Sequence, residues 1–186
     1  MLFDNGSTNP SHRYLHGPGV DEVLADQDFT GGTPVWKWIA GDHQNSVRDI
    51  VDGTWNYVLN RKEYDSFGNI KSELNTSAAA DVIFGYTGRE FDEATGLQYN
   101  RARYYDPELG RFISSDPSGF AGGDSNLYRY AANNPMNATD PSGLGTIFMK
   151  GNSNGGISAS RGFGFGGSAY DLINCVCSAE RRGSQL

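Results

Sequence analysis

The chain has 186 residues, with 15 Lys and Arg against 22 Asp and Glu, giving a formal charge of −7. That balance offers nothing to neutralise phosphates and argues against a nucleic-acid binder; no apolar run approaches the roughly 20 residues of a membrane span, and the opening Met1-Leu2-Phe3-Asp4-Asn5-Gly6-Ser7 lacks the basic and apolar regions of a signal peptide. Hydrophobic residues make up 37%, and 25 Gly accompany 10 Tyr and 10 Phe, a composition that predicts an all-β chain of short strands and frequent turns.

Along the chain, His12 to His16, Glu22 to Asp26 and Ser46 to Val51 read as short strands. In Pro34-Val35-Trp36-Lys37-Trp38-Ile39 the two tryptophans alternate onto one face, which is read as core. Trp55, Tyr57 and Leu59 are expected to share a face, with Asp52-Gly53 as the hairpin turn before them. A unit of aromatic, Asp and Gly recurs at 64–68, 91–96 and 105–110. Its chemistry is plain: the aromatic ends a strand and packs, the Asp accepts backbone N–H bonds in the turn, and the Gly supplies a positive φ. Such units stack hairpins into a sheet and need several copies to bury a core. Leu97, Tyr99, Arg101, Arg103 and Tyr105 read as one alternating face, and Asp124 to Asn134 as room for one short helix before Pro135. Residues 145–186 are rich in Gly and Ser, and a flexible tail is expected, with Tyr170 to Cys177 the stretch able to order. Cys175 and Cys177 are too few for a disulfide framework. His12, His16 and His43 have no metal-ligand spacing, and no cofactor or metal is expected.

Two Asp-Pro-Ser-Gly runs, 116–119 and 140–143, have the form of type I turns, with Asp at i, Pro at i+1 and Gly at i+3. Read alone, they are turns and nothing more.

The run Phe84 to Asp92, the run Gly96 to Pro107, Gly110-Arg111-Phe112, Asp116-Pro117, Asn126 to Tyr130 and Asn133-Asn134-Pro135 together resemble the RHS repeat-associated core domain. The pattern closes with Pro135, Asp140-Pro141 and Gly143-Leu144. Tyr14 to Gly19, Asp42 to Arg48 and Tyr64 to Asn69 are similar to the YD repeats that precede that core. The resemblance covers residues 12–144 and divides the chain into a YD-repeat region (1–82), a core domain (83–144) and a variable tail (145–186).

The resemblance implies an end-cap of a hollow β-shell whose core cuts its own chain and frees a variable C-terminal segment, often a toxin. Carried over by motif, Asp116 and Asp140 are the catalytic carboxylate pair, Arg103 the required cation, and Leu144–Gly145 the scissile bond; Pro135, Pro141 and Gly143 shape the motif. Two carboxyls held close cannot both ionise, so their protonation states split, as acid and base require. Arg101, two positions away, rivals Arg103 for the cationic role, and an arginine among tyrosines also reads as a stacked structural cation. The implied partners are further RHS/YD repeats or a longer RHS protein, and an immunity protein for a toxin tail; the implied location is secreted or cell-surface. The roughly 80 residues before the core are too few for a shell, which reads as a fragment. Two readings stand beside cleavage: a non-catalytic β-repeat for surface adhesion or carbohydrate contact, and an inactive, degenerate cassette end.

Overall fold

A computed structural model describes residues 2–3, 10–76, 80–151 and 157–161. The architecture is all-β. Strands β1 (Leu2–Phe3), β2 (Pro10–His16), β3 (Val23–Asp28), β4 (Val35–Gly41), β5 (Val47–Asp52), β6 (Val58–Tyr64) and β7 (Ile70–Asn75) form a seven-stranded antiparallel sheet in sequence order. A second sheet has β8 (Glu90–Asp92), β9 (Leu97–Asn100), β10 (Arg103–Asp106) and β11 (Arg111–Phe112) in the order β11-β10-β9-β8. The third joins β12 (Ala138–Thr139) to β13 (Ile147–Gly151) and β14 (Ile157–Arg161).

The Asp residues make the turns. Asp42 accepts the N–H groups of Gln44 and Ser46, Asp65 those of Phe67 and Asn69, and Asp92 that of Ala94. Each is a side chain standing in for a backbone acceptor two to four residues on. In the repeated unit, Gly68, Gly96 and Gly110 all take positive φ, at 91°, 70° and 65°.

Two cores form. Val23, Ile39, Val47, Ile50 and Val82 pack behind the first sheet, with Tyr14 and Phe84 against them. Tyr86, Tyr105, Phe112, Tyr130, Ala131 and Ala138 form the other, with Tyr64 and Phe148 against it. The second core sits at one end of the first sheet. In a meander, alternate turns lie at the same end, and the contacts come from alternate turns. Asp21, between β2 and β3, pairs with Arg89. Gln44, between β4 and β5, donates to the Pro135 carbonyl at 2.8 Å. The Phe67 carbonyl, between β6 and β7, accepts from the Tyr105 hydroxyl at 2.7 Å.

Several expectations change. Trp36 and Trp38 point away from the core: Trp36 is 40% exposed, while Lys37 and Ile39 between and beyond them are buried. Lys37 is neutralised there by Asp28 at 2.9 Å and Asp26 at 3.5 Å. Trp55 and Tyr57 do not share a strand face with Leu59. Asp52 accepts the N–H groups of Thr54, Asn56 and Tyr57, which rolls 53–57 into an exposed loop before β6. The helix allowed at 124–134 shrinks to a single 3-10 turn, Ala131–Asn133, whose three residues all take left-handed φ, at 46°, 53° and 56°. Of the expected tail, Ile147–Gly151 and Ile157–Arg161 are strands, and Phe148 supplies the apolar contact that seats them. Residues 152–156 and 162–186, including Tyr170 to Cys177, lie outside those described. Among the described residues, no helix is long and apolar enough to cross a membrane.

Candidate functional site

The site begins with a hairpin. Arg103 pairs with Asn100 and Tyr104 with Tyr99, so Arg101 and Ala102 form a two-residue turn, and Arg101 takes a φ of 57°. The single face expected from Leu97 to Tyr105 is therefore two strands folded together. The turn sends Arg103 and Tyr105 inward with Gln98 and Asn100, and leaves Tyr99 and Tyr104 as a partly exposed ring pair at 5.2 Å.

Four consecutive residues of this turn hold four consecutive carbonyls of the loop after β12. Asn100 Nδ2 donates to the Asp140 carbonyl at 2.7 Å. Arg101 Nη1 donates to that of Pro141. The Ala102 amide donates to Ser142 at 3.2 Å, and Arg103 Nε to Gly143 at 2.5 Å. Gly143 is required at this contact: its φ is 67°, and an added Cβ would lie 2.4 Å from the Asn100 carbonyl oxygen. The second Asp-Pro-Ser-Gly run is a turn, and it is also gripped along its length.

Arg103 joins the two candidate carboxylates. It is 4% exposed, and its Nη2 lies 2.9 Å from Asp116 Oδ2 and 3.4 Å from Asp140 Oδ2. Its Nη1 donates to the Leu127 carbonyl at 2.9 Å, and its guanidinium carbon sits 3.6 Å from the centre of the Phe112 ring. Burial pushes the Arg103 pKa down while Asp116 and Asp140 pull it back; a guanidinium remains charged in that balance. Arg103 thus stacks on an aromatic ring and also bridges the two carboxyls.

Asp140 is 2% exposed. Its Oδ1 accepts from the Leu144 amide at 3.2 Å and the Ser142 hydroxyl at 3.2 Å. The Gly145 amide lies 3.1 Å from each of its oxygens. Burial pushes its carboxyl above the ordinary 3.8, against the pull of the Gly145 amide and Arg103. Asp116 is partly exposed, and its Oδ1 caps the turn at the Ser118 amide, 2.8 Å away. A cleft of about 340 Å³ opens over Arg103, Asp116, Asp140, Leu144 and Gly145, and Leu144 is 45% exposed.

The structure thus brings together Asp116, Asp140, Arg103, Leu144 and Gly145. Pro141 and Gly143 belong to the gripped loop. Pro135 does not reach the site; its carbonyl ties Gln44 and Tyr86 to the core. Arg101 does not contact either carboxyl of the pair and instead spans Pro141 and Asp21, 2.7 Å from the latter's Oδ1. Sequence reasoning missed Asn100, Phe112 and the Leu127 carbonyl. The run Asn100-Arg101-Ala102-Arg103 was visible, but its alignment with 140–143 depends on a long-range contact. Among the described residues, no cluster of three His, Cys, Asp or Glu could hold a metal ion.

A family model described as Teneurin YD-shell matches residues 37–136. Salivary gland surface protein 1 of Aedes aegypti is 32% identical over 139 residues, 75% of this chain and 4% of that protein. Toxin subunit YenC1 of Yersinia entomophaga is 41% identical over 102 residues, 54% of this chain and 10% of that protein. Among solved structures, the Photorhabdus luminescens Tc holotoxin pore matches with a TM-score of 0.62 at 27% identity, over 74% of this chain and 7% of that chain. The chain spans a small part of the length of each of these relatives.

Proposed function

The chain belongs to the YD-shell family of RHS/YD-repeat proteins, and on that premise we propose that it closes one end of an RHS-type shell and cuts its own chain after Leu144. The family, with a toxin subunit among the relatives, marks it as a shell- or toxin-related module. The observation that carries the cleavage reading is the Gly145 amide lying against the Asp140 carboxyl while Asp116 shares the same arginine nitrogen.

The chemistry is hydrolysis. A water entering the cleft attacks the Leu144 carbonyl carbon, and Asp116 takes its proton. Asp140, the more buried carboxyl, gives its own proton to the Gly145 nitrogen as the C–N bond breaks. The Leu144 carboxylic acid so formed gives its remaining water proton back to Asp140, leaving the Leu144 carboxylate, and the Gly145 amine takes up the proton held by Asp116. Arg103 holds the two carboxyls at fixed separation and offsets charge that develops between them. The bond is held by its own loop, so the substrate is always in place; effective molarities for such oriented reactions reach about 10⁵ M or more. One turnover suffices.

On this reading residues 1–82 are the last repeats of the shell, 83–144 the cutting core and 145–186 the segment set free. Further RHS/YD repeats extend the first sheet, an immunity protein accompanies a toxic segment, and the assembly acts outside the cell. A second, non-catalytic reading has one observation of its own. Trp36, Trp38 and Trp55 stack on the outer face at 6.2 and 5.7 Å, an aromatic surface suited to adhesion. Intact mass of the purified chain and of its Asp140→Asn variant separates the two: cleavage splits the first and spares the second, whereas adhesion leaves both whole.

A further inference from the structure

We infer that Asp21 is a positioning residue for the Leu144–Gly145 bond, acting through Arg101, so that the cleavage loop takes its shape only when the turn between β2 and β3 is docked on the core. The inference rests on the cleavage reading above and adds its regulation.

Arg101 stands at the tip of the β9–β10 turn with a half-exposed side chain. A long arginine in that position gives up rotamer freedom to hold any one geometry. Asp21 supplies the reason it does: its carboxyl is 8% exposed, and Oδ1 receives Arg101 Nη2 at 2.7 Å. The other arm of the same guanidinium holds the Pro141 carbonyl. Of the four carbonyl contacts along 140–143, this is the one that depends on a residue of the first sheet.

Asp21 is itself fixed. Arg89 Nη1 reaches the same Oδ1 at 2.8 Å, and the rest of that guanidinium is spent on the Tyr99 carbonyl at 2.9 and 2.8 Å. Its backbone is at φ 56° and packs on Gly88, where an added Cβ would lie 1.9 Å from the Asp21 carbonyl oxygen. A turn of the repeat sheet therefore reaches the backbone of the cleavage loop through two side chains, 21 to 101 to 141. Until the sheet is seated, Arg101 loses its anchor and Pro141 its third-party hold. Cleavage then waits for assembly of the shell wall.

The test uses the full chain with Asp21→Asn, Arg101→Gln and both together. Amide hydrogen exchange at Leu144 and Gly145 should quicken about two- to fivefold in each single variant, the range expected for losing a partly exposed charged contact. Exchange in β3 to β6 should stay as in the parent. The cut at Leu144 should slow by a similar factor with an unaltered pH profile, because Asp116 and Asp140 remain. The double variant should be no slower than the worse single one, since the two residues act in series. If β3 to β6 lose protection in Asp21→Asn, that variant reports a folding defect and Arg101→Gln, outside the sheet, decides. Unchanged exchange at Leu144 and Gly145 overturns the inference, whether or not the parent chain cuts. Faster exchange in a parent that never cuts supports the coupling and counts against the cleavage reading alone.

Discussion

The Gly145 amide lies 3.1 Å from both carboxyl oxygens of Asp140. A carboxyl five residues upstream thus touches the nitrogen that peptide hydrolysis would release. The contact exists because the intervening carbonyls are pinned to the β9–β10 turn, which folds the loop back on itself.

Replacing the carboxyls should stop the cut without unfolding the chain. Asp140→Asn and Asp116→Asn each remove a proton carrier, a role worth about 10²- to 10⁴-fold. Asn tolerates both turns. Arg103→Lys should impair cutting as well, since lysine keeps the charge and loses the planar fork that serves Gly143, Leu127 and two carboxyls at once. Time courses of intact mass, with circular dichroism of each variant, check this.

The pH dependence follows from burial. The folded Asp140 carboxyl titrates above 3.8 because burial disfavours its charged form. Its contribution to stability is therefore full below that pH and is lost as pH rises through the raised value. Asp140→Asn has no such titration. Denaturation midpoints of parent and variant, compared at rising pH, should shift in favour of the variant. The cutting rate should fall over the same interval, because Asp140 loses the proton it donates.

Gly143→Ala should break the grip on the loop. A side chain at φ 67° with its Cβ 2.4 Å from a backbone oxygen forces the loop off the hairpin. A stability loss of about 1–3 kcal/mol is expected, with loss of cutting beyond what that destabilisation explains. Urea titration and intact mass on the same sample measure both.

How much of this was readable in advance follows from range. The all-β class and the Asp turns are local, carried by side chains that bond two to four residues away, and they were legible. The orientation of Trp36 and Trp38 was not. Alternation gives two faces without saying which is inner, and here the inner one holds Lys37, whose charge is met by Asp26 and Asp28 from the preceding strand, β3. Arg101 and Arg103 stayed rivals because strict alternation put them on one face; a two-residue turn without glycine hid the break between β9 and β10. The pairing of Asp116 with Asp140 through Arg103 came from family resemblance, since nothing local links positions so far apart.

The buried lysine of the first sheet provides a prediction independent of the cut. Burial pushes the Asp28 carboxyl up, but hydrogen bonds from Thr30 and Lys37 outweigh it and hold it at about 2. Its contribution to stability is present above 3.8 and is lost as pH falls through about 2. Lys37→Met leaves Asp28 without its cation and Asp26 with His12 alone, and should cost about 3–5 kcal/mol near neutral pH. Acid should narrow that deficit, because protonating Asp28 removes a charge left unpaired. Equilibrium unfolding at pH 7 and pH 3 tests the sign.

The most direct measurement is the identity of the new chain ends, read by mass spectrometry on protein incubated in ¹⁸O-labelled water. Hydrolysis by the paired carboxyls should yield one fragment ending at Leu144 with a single ¹⁸O in its terminal carboxylate, and another beginning at Gly145 with an unlabelled amine. Neither should form in the Asp140→Asn variant. An intact parent chain, a cut at any other bond, or the same fragments from the Asp140→Asn variant would contradict self-cleavage by Asp116 and Asp140.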